Sequence, residues 1–492
     1  MKKIDLLVLL LGCTAVLIIV WPIFNAEYLY TDEAPQFWLA PNRADRTFVV
    51  QGRYITQWLL FWLYNSEHTV KGLIHVRLFA LAGWLVCIPL WYFILKRSVL
   101  QNNLPFVLAP LSVFYLISIP AFSLSIGWIA CLQLFLANST GILAGYLAYA
   151  GIESSNKKNR AWLLTFAILF GLVSLFSYQS GFGCFYIPFL IQLLAKRKPT
   201  KTVYAGFAFS VFMFGLYFLL FKWGLHLMGL SSDERTSLSF NPINKLVFLF
   251  TRPMAAAFHF TWFFNEKSLM GLILYGVEAF VFLLFSFRQL KEQSPLQKAI
   301  YYLALAGFFG GIYLPSLVVN ENYASNRTLL ALNMAVFFVV AVLVFSFVKA
   351  QQKQWQLATA IAVLFVANAC YNFRVQFISP IIAEYNMVKG FVLANYKPTI
   401  DTINFIRPSE DAFEKKFHVV ASWDEFGVPS TAKPWTPEFL LRQIITDHTG
   451  NRPIAEKLVI NNYASMKAYQ QAGKKAGDQT ILVNVGEMMG TP

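Results

Sequence analysis

The chain has 492 residues, 57% of them hydrophobic, 17% aromatic and only 13% charged, with a formal net charge of +15. A soluble chain of this length would divide into about two to four domains with roughly twice that charged fraction, so a water-soluble enzyme, a disordered chain and a collagen are all excluded. Five cysteines, each alone in an apolar stretch (Cys13, Cys87, Cys131, Cys184, Cys370), exclude a disulfide scaffold, and Lys and Arg residues scattered through short loops rather than gathered in a patch argue against nucleic acid as a partner.

In chain order, Met1-Lys2-Lys3 and Leu10-Leu11-Gly12-Cys13 resemble a lipoprotein signal, but the apolar stretch runs on to Pro22 and reads as a retained first membrane span near 4–24. Further spans are predicted near 72–95, 104–120, 127–150, 161–178, 182–195, 202–224, 269–287, 299–317, 328–348 and 355–372. Basic clusters recur after pairs of crossings: Lys2-Lys3, Lys96-Arg97, Lys157-Lys158 with Arg160, Lys196 to Lys201, Arg288 with Lys291 and Lys298, and Lys349 with Lys353. Positive charge marks the cytoplasmic side. The expected architecture is a polytopic α-helical membrane protein of about eleven transmembrane helices over 1–372, amino end cytoplasmic, followed by a small α/β extracytoplasmic domain over 373–492.

Three segments project from the outer face: 25–71, 225–268 and everything after about 373. Within the first two, 51–64 and 243–264 mix Trp and Phe with polar groups, as helices lying in the membrane interface do. In the third, Phe417–Val420 and Thr480–Val483 have strand length, and Pro437–Thr446 and Ile454–Ala472 are predicted helices.

The polar candidates fall on that same outer side. Thr31-Asp32-Glu33 places two acids just beyond the first span, either as a solvated loop start or as a carboxylate general base. Gln51-Gly52-Arg53-Tyr54 offers a guanidinium that snorkels or binds phosphate bidentately. Ser177-Tyr178-Gln179-Ser180-Gly181 and Asn320-Glu321-Asn322-Tyr323-Ala324-Ser325-Asn326-Arg327 each read alone as ordinary turns. Arg252 and His259, in the second outer segment, suit interfacial anchoring or a phosphate contact. Asp424-Glu425 follows a predicted strand and reads as a solvated turn or the lining of a site. A topology drawn from the inside lysines alone sends the acids, Arg53 and Arg327 to one face, which suits an anionic lipid-linked substrate meeting a hydroxyl.

The order Thr-Asp-Glu after the first span, Gly-Arg, Tyr-Gln after a middle span and an Arg opening a late span resembles the GtrII-type membrane glucosyltransferases of the GT-C superfamily, over about residues 1–372. The resemblance implies transfer of a hexose, glucose above all, from a polyprenyl-phosphate donor to a surface glycan acceptor at the outer face of a bacterial cytoplasmic membrane. By it Asp32 is the base and Glu33 the second acid, although the family usually carries Asp-Asp there. Arg53, Arg327 and Arg252 are the candidates for the donor phosphate, and Tyr178, Gln179, Glu321 and Tyr323 for the substrates. No required metal is expected, although Asp32 with Glu33 offers oxygen ligands to a divalent cation, and no GxxxxGK(S/T) phosphate loop is present. The competing classes are a transporter or flippase of lipid-linked saccharides, for which Glu278 is the mid-span ionisable residue, and a scaffold that anchors the outer tail.

Overall fold

A computed structural model describes residues 3–42, 46–233, 237–238, 241–264, 268–473 and 478–490; Lys2 of the first basic cluster lies outside them. The protein is a polytopic membrane protein, mostly helical, with a small α/β region at its carboxyl end. Among the described residues eight helices are long and apolar enough to cross a bilayer, and a ninth crossing is made if the bent pair Leu108–Ser118 and Pro120–Gly127 counts as one. The bend is 49°, where Pro120 cannot continue the hydrogen-bond ladder of the preceding helix.

Two of the eleven predicted spans fall short. The segment predicted over 182–195 is a 3-10 stretch, Gln179–Tyr186, followed by a helix Ile187–Lys196 of 10 residues. That helix rises only about 15 Å, half the hydrocarbon thickness, and Ile187 to Leu194 are buried inside the bundle instead. The other, Pro295–Ile312, opens on Pro-Leu-Gln-Lys and carries Tyr301-Tyr302, too polar a stretch for the same test.

Antiparallel packing of the first two long helices is fixed at both ends by ion pairs. Asp5 on Lys3–Val20 accepts from Tyr92 at 2.7 Å and Lys96 at 2.6 Å on Leu73–Gln101. At the opposite end Arg77 reaches the segment after the first helix. The predicted interfacial segments are helices with outward apolar faces: Tyr54–Asn65 exposes Trp58 and Trp62, and Pro242–Thr251 exposes Ile243, Leu246, Val247 and Phe250. Both suit a headgroup boundary.

The boundary expected at 372 lies inside a helix. Gln351–Tyr371 runs through a π-helical stretch, Asn372–Ile378, into Ser379–Asn395, 45 residues in all. At 1.5 Å per residue this is about 68 Å, twice what the hydrocarbon needs, so its far half stands outside the membrane. It leads into a parallel sheet of order β2-β1-β3, with β1 Thr402–Ile406, β2 Val459–Tyr463 and β3 Thr480–Asn484. β3 coincides with a predicted strand and Thr436–Thr449 with a predicted helix. Two expectations fail. Phe417–Val420 is no strand, because it closes the helix Glu410–Phe417 with His418 in the left-handed region at φ 53°. The helix predicted over Ile454–Ala472 is interrupted by β2, whose Val-Ile-Asn-Asn-Tyr run pairs with β1.

Candidate functional site

Thr31 takes φ 41°, a conformation a β-branched residue rarely adopts. The domain after the long helix holds it there: its N–H donates to Ser430 Oγ at 2.7 Å and its carbonyl accepts from Thr436 Oγ1 at 3.3 Å. The turn parts the two acids. Glu33 points inward and is fully buried, paired with the equally buried Arg77 at 2.7 Å, and it accepts the N–H groups of Tyr30 at 3.0 Å and Ile129 at 2.6 Å. Arg77 also donates to the Tyr28 carbonyl at 3.1 Å and lies over the Tyr28 ring. Glu33 is thereby committed to the fold. A cation bridged by Asp32 and Glu33 does not fit this geometry, since Glu33's oxygens are taken by Arg77 and two backbone donors.

Asp32 faces the other way. Its Oδ1 accepts from the indole Nε1 of Trp435 at 2.8 Å. Burial raises its proton affinity above the usual carboxylate range, Asp424 adding to the rise and Arg327, Trp435 and Lys433 opposing it. A carboxylate moved toward neutrality is the direction a general base requires.

A second acid pair arrives from the carboxyl-terminal region with the same construction. Trp423 sits at φ 55°, Ser422 and Phe426 close the turn as an antiparallel bridge, and the glutamate is again fully buried against an arginine. Glu425 lies 3.2 Å from Arg327 Nε and accepts the Arg327 backbone N–H at 3.3 Å. Burial pushes its carboxyl up to about 7 against the pull of Arg327. Asp424, whose side chain is 42% exposed, stands 3.7 Å from Arg327 Nη2. Arg327 further donates from Nε to the Tyr323 hydroxyl at 2.9 Å and lies over the Trp128 ring at 4.8 Å.

Arg53 closes the third side. Gly52 takes φ 77°, and a Cβ on it would run into the Tyr217 hydroxyl, so the turn that delivers Arg53 needs glycine. Arg53 Nε donates to Gln179 Oε1 at 3.2 Å and its guanidinium lies 4.3 Å over the Tyr178 ring. Gln179 is held in turn by the Gln51 carbonyl and the Tyr217 hydroxyl, both at 2.7 Å. Tyr178 stands between the two arginines: burial raises its phenol, and the charges of Arg53 and Arg327 both oppose that rise. The two cations differ in one respect. Arg327 is neutralised by two carboxylates, whereas among the described residues Arg53 has no carboxylate partner.

The structure therefore gathers Asp32, Arg53, Tyr178, Gln179, Tyr323 and Arg327 at one end of the bundle. Two other candidates stand apart. Arg252, with His259, lines a cavity of about 290 Å³ that shares Asn326, Ser422 and Trp423 with the edge of the cluster; burial holds His259 below the usual imidazole range, and its ring meets the Gly271 carbonyl at 2.9 Å. Glu321 is exposed, and its carbonyl accepts from the buried Lys245 at 3.3 Å; among the described residues its side chain makes no hydrogen bond or ion pair to the cluster. Sequence reading missed Arg77, Trp128 and Trp435 and read Asp424-Glu425 mainly as a solvated turn. A Trp directly after Lys433-Pro434 carries no signal without its partner in space.

No family model matches the chain, no curated protein matches its sequence, and no solved structure matches its fold. Among the described residues no group of three or more His, Cys, Asp or Glu stands together as a metal-binding set.

Proposed function

We propose that this protein is a polyprenyl-phosphate-sugar-dependent glycosyltransferase of the GT-C kind, GtrII-like, which transfers a hexose to a surface glycan at the outer face of a bacterial cytoplasmic membrane. One observation carries the reading: Asp32, a carboxylate of raised proton affinity not committed to an arginine, shares a membrane-end cluster with Arg53, an arginine that no acid neutralises among the described residues. That pairing supplies a base for a hydroxyl and a receptor for a phosphate. Orientation follows from the basic loops, which assign the amino end to the cytoplasm and the cluster to the opposite side.

In this reading the acceptor hydroxyl gives its proton to Asp32 while its oxygen bonds to the anomeric carbon. The carbon–oxygen bond to phosphate breaks, and its electron pair leaves with the polyprenyl phosphate, whose charge Arg53 stabilises. Such electrostatic help is worth roughly 3–4 kcal/mol per well-placed donor. Single displacement inverts the anomeric centre. Arg327, already engaged with Asp424 and Glu425, orients the acids and Tyr323 rather than carrying the phosphate. The cavity beside Arg252 suits the donor, with a cation at its rim and aromatic walls for the lipid.

Transport of lipid-linked saccharides is the second reading, and it rests on Glu278 alone. Two further buried charge pairs, Asp5 with Lys96 and Arg77 with Glu33, are matched ion pairs at opposite ends of the bundle. The deciding experiment is transfer of radiolabelled sugar from synthetic polyprenyl-phosphate-glucose to extracted envelope glycan by purified protein, beside Asp32→Asn. Turnover that disappears in the variant supports the enzyme and its base. Folded protein that consumes none of several sugar donors sinks the reading.

A further inference from the structure

Trp435 is the residue that the reaction above leaves without a task. It is 47% exposed, yet its indole nitrogen is fixed on Asp32. Large exposed aromatics normally swing. This one is anchored at its ring edge, and the next residue, Thr436, both starts the helix Thr436–Thr449 and bonds to the strained Thr31 carbonyl. An indole pinned by its N–H to a carboxylate and open elsewhere presents a stationary aromatic face beside that carboxylate.

The surroundings continue the pattern. The loop from β1 to Trp435 leaves the carboxyl end of the central strand of a parallel sheet, and the β1-to-β2 and β2-to-β3 connections depart to opposite sides of β1. In sheets of this order ligands bind outside the carboxyl ends of the strands, next to the central one. At this edge Asn462 Nδ2 donates to the Pro434 carbonyl at 2.6 Å, and Arg407 Nη1 donates to the Ala432 carbonyl at 2.9 Å. Asn462 Oδ1 and Arg407 Nε are buried and, among the described residues, have no hydrogen-bond partner. A flat, exposed aromatic face held beside a carboxylate matches a pyranose ring, whose C–H face packs on a π-system while a hydroxyl bonds to the carboxylate.

We infer that Trp435 is the acceptor platform of this site: a neutral saccharide stacks on its exposed indole face, beside the carboxyl end of the sheet, and so brings one hydroxyl to Asp32. The inference rests on the glycosyltransferase reading for the fate of that hydroxyl. It gives the two oxygens of Asp32 separate tasks, with Oδ1 held by the indole N–H and Oδ2 receiving the proton. Trp435 is thus a binding and positioning residue.

The test uses full-length purified protein, extracted envelope glycan as the probe, and the pair Trp435→Ala and Trp435→Phe. Glycan binding is measured by equilibrium dialysis without donor, and acceptor and donor KM are measured during transfer. Trp435→Ala should weaken glycan binding and raise acceptor KM about thirtyfold, the size of an aromatic anchor lost from a binding surface, with donor KM unchanged. Trp435→Phe keeps a ring and loses the N–H, so it should hold acceptor KM near the unmodified value while kcat falls. Unchanged acceptor KM and glycan binding in Trp435→Ala, with Asp32→Asn still inactive, would overturn the platform and leave the enzyme standing. An equal rise in acceptor KM in both variants would also overturn it, because the ring face would then not be what holds the sugar. Glycan binding that Trp435→Ala abolishes, in a protein that transfers nothing, supports the platform and sinks the reaction. Absence of glycan binding by the unmodified protein overturns the inference outright.

Discussion

Two Asp-Glu pairs from opposite ends of the chain meet around Arg327, and they are built alike. Each follows a non-glycine residue in the left-handed region, Thr31 or Trp423; each sinks its glutamate completely against an arginine; each leaves its aspartate in the cluster. The difference lies in what the arginine does. Arg77 is buried with Glu33 and locks helix to helix, whereas Arg327 is 17% exposed and serves both Glu425 and Asp424. The same local device is therefore a rivet in one place and a charge-balancing joint in the other. Adjacent acids need not share a role: in both pairs the buried glutamate supports and the aspartate faces the site.

That comparison can be broken in four ways. Asp32→Asn should lower transfer by about 10²–10⁴, the usual contribution of a general base, without moving the thermal midpoint in detergent. Glu33→Gln should do the reverse. Leaving Arg77 buried without its counter-charge costs about 3–5 kcal/mol, so the midpoint should drop sharply, and any surviving folded fraction should keep its specific activity. A Glu33→Gln protein of normal stability and no activity would return Glu33 to the chemistry.

Glu425 supplies a pH test. Its folded pKa, near 7, lies above the ordinary value of 4.5, so between those values the folded protein keeps a proton that the unfolded chain has released. The stability this gives is full below pH 4.5 and is lost as pH rises through 7. The stability difference between the unmodified protein and Glu425→Gln, from denaturant titrations, should fall across that window and level off above it; a flat difference would mean that Arg327 keeps Glu425 ionised throughout. The smallest effect belongs to Asp424→Asn. Its ion pair is long and half in solvent, worth about 0–1 kcal/mol, and transfer should fall less than tenfold; a loss matching Asp32→Asn would make the two aspartates joint bases.

Most of this arrangement was open to sequence reading as placement and closed to it as contact. Runs of apolar residues and inside lysines send Asp32, Arg53, Tyr178, Gln179 and Arg327 to one end of the bundle, because span length and loop charge are local properties. The burial of Glu33 was not legible. It depends on Arg77, a charge inside a predicted span whose partner is visible only once the first two helices pair. Asp424-Glu425 read as a turn for the same reason, its arginine being remote in sequence. Residues 182–195 looked like a span by composition, since a helix buried in protein is as apolar as one buried in lipid.

The uninterrupted helix from Gln351 to Asn395 has a further consequence, one of phase. Only residues 396–401 separate its end from β1, and its π-helical stretch touches both the bundle and the carboxyl-terminal region: Phe377 packs on Tyr30 and Phe426, and Gln376 accepts the Val420 N–H at 2.8 Å. A helix transmits rotation as well as height, about 100° and 1.5 Å for each residue. One residue added to its upper half would swing Trp435 away from Asp32, whereas seven would nearly restore the bearing and lift the sheet by about 10 Å. The angular register of this one rod sets whether the two halves of the site face each other.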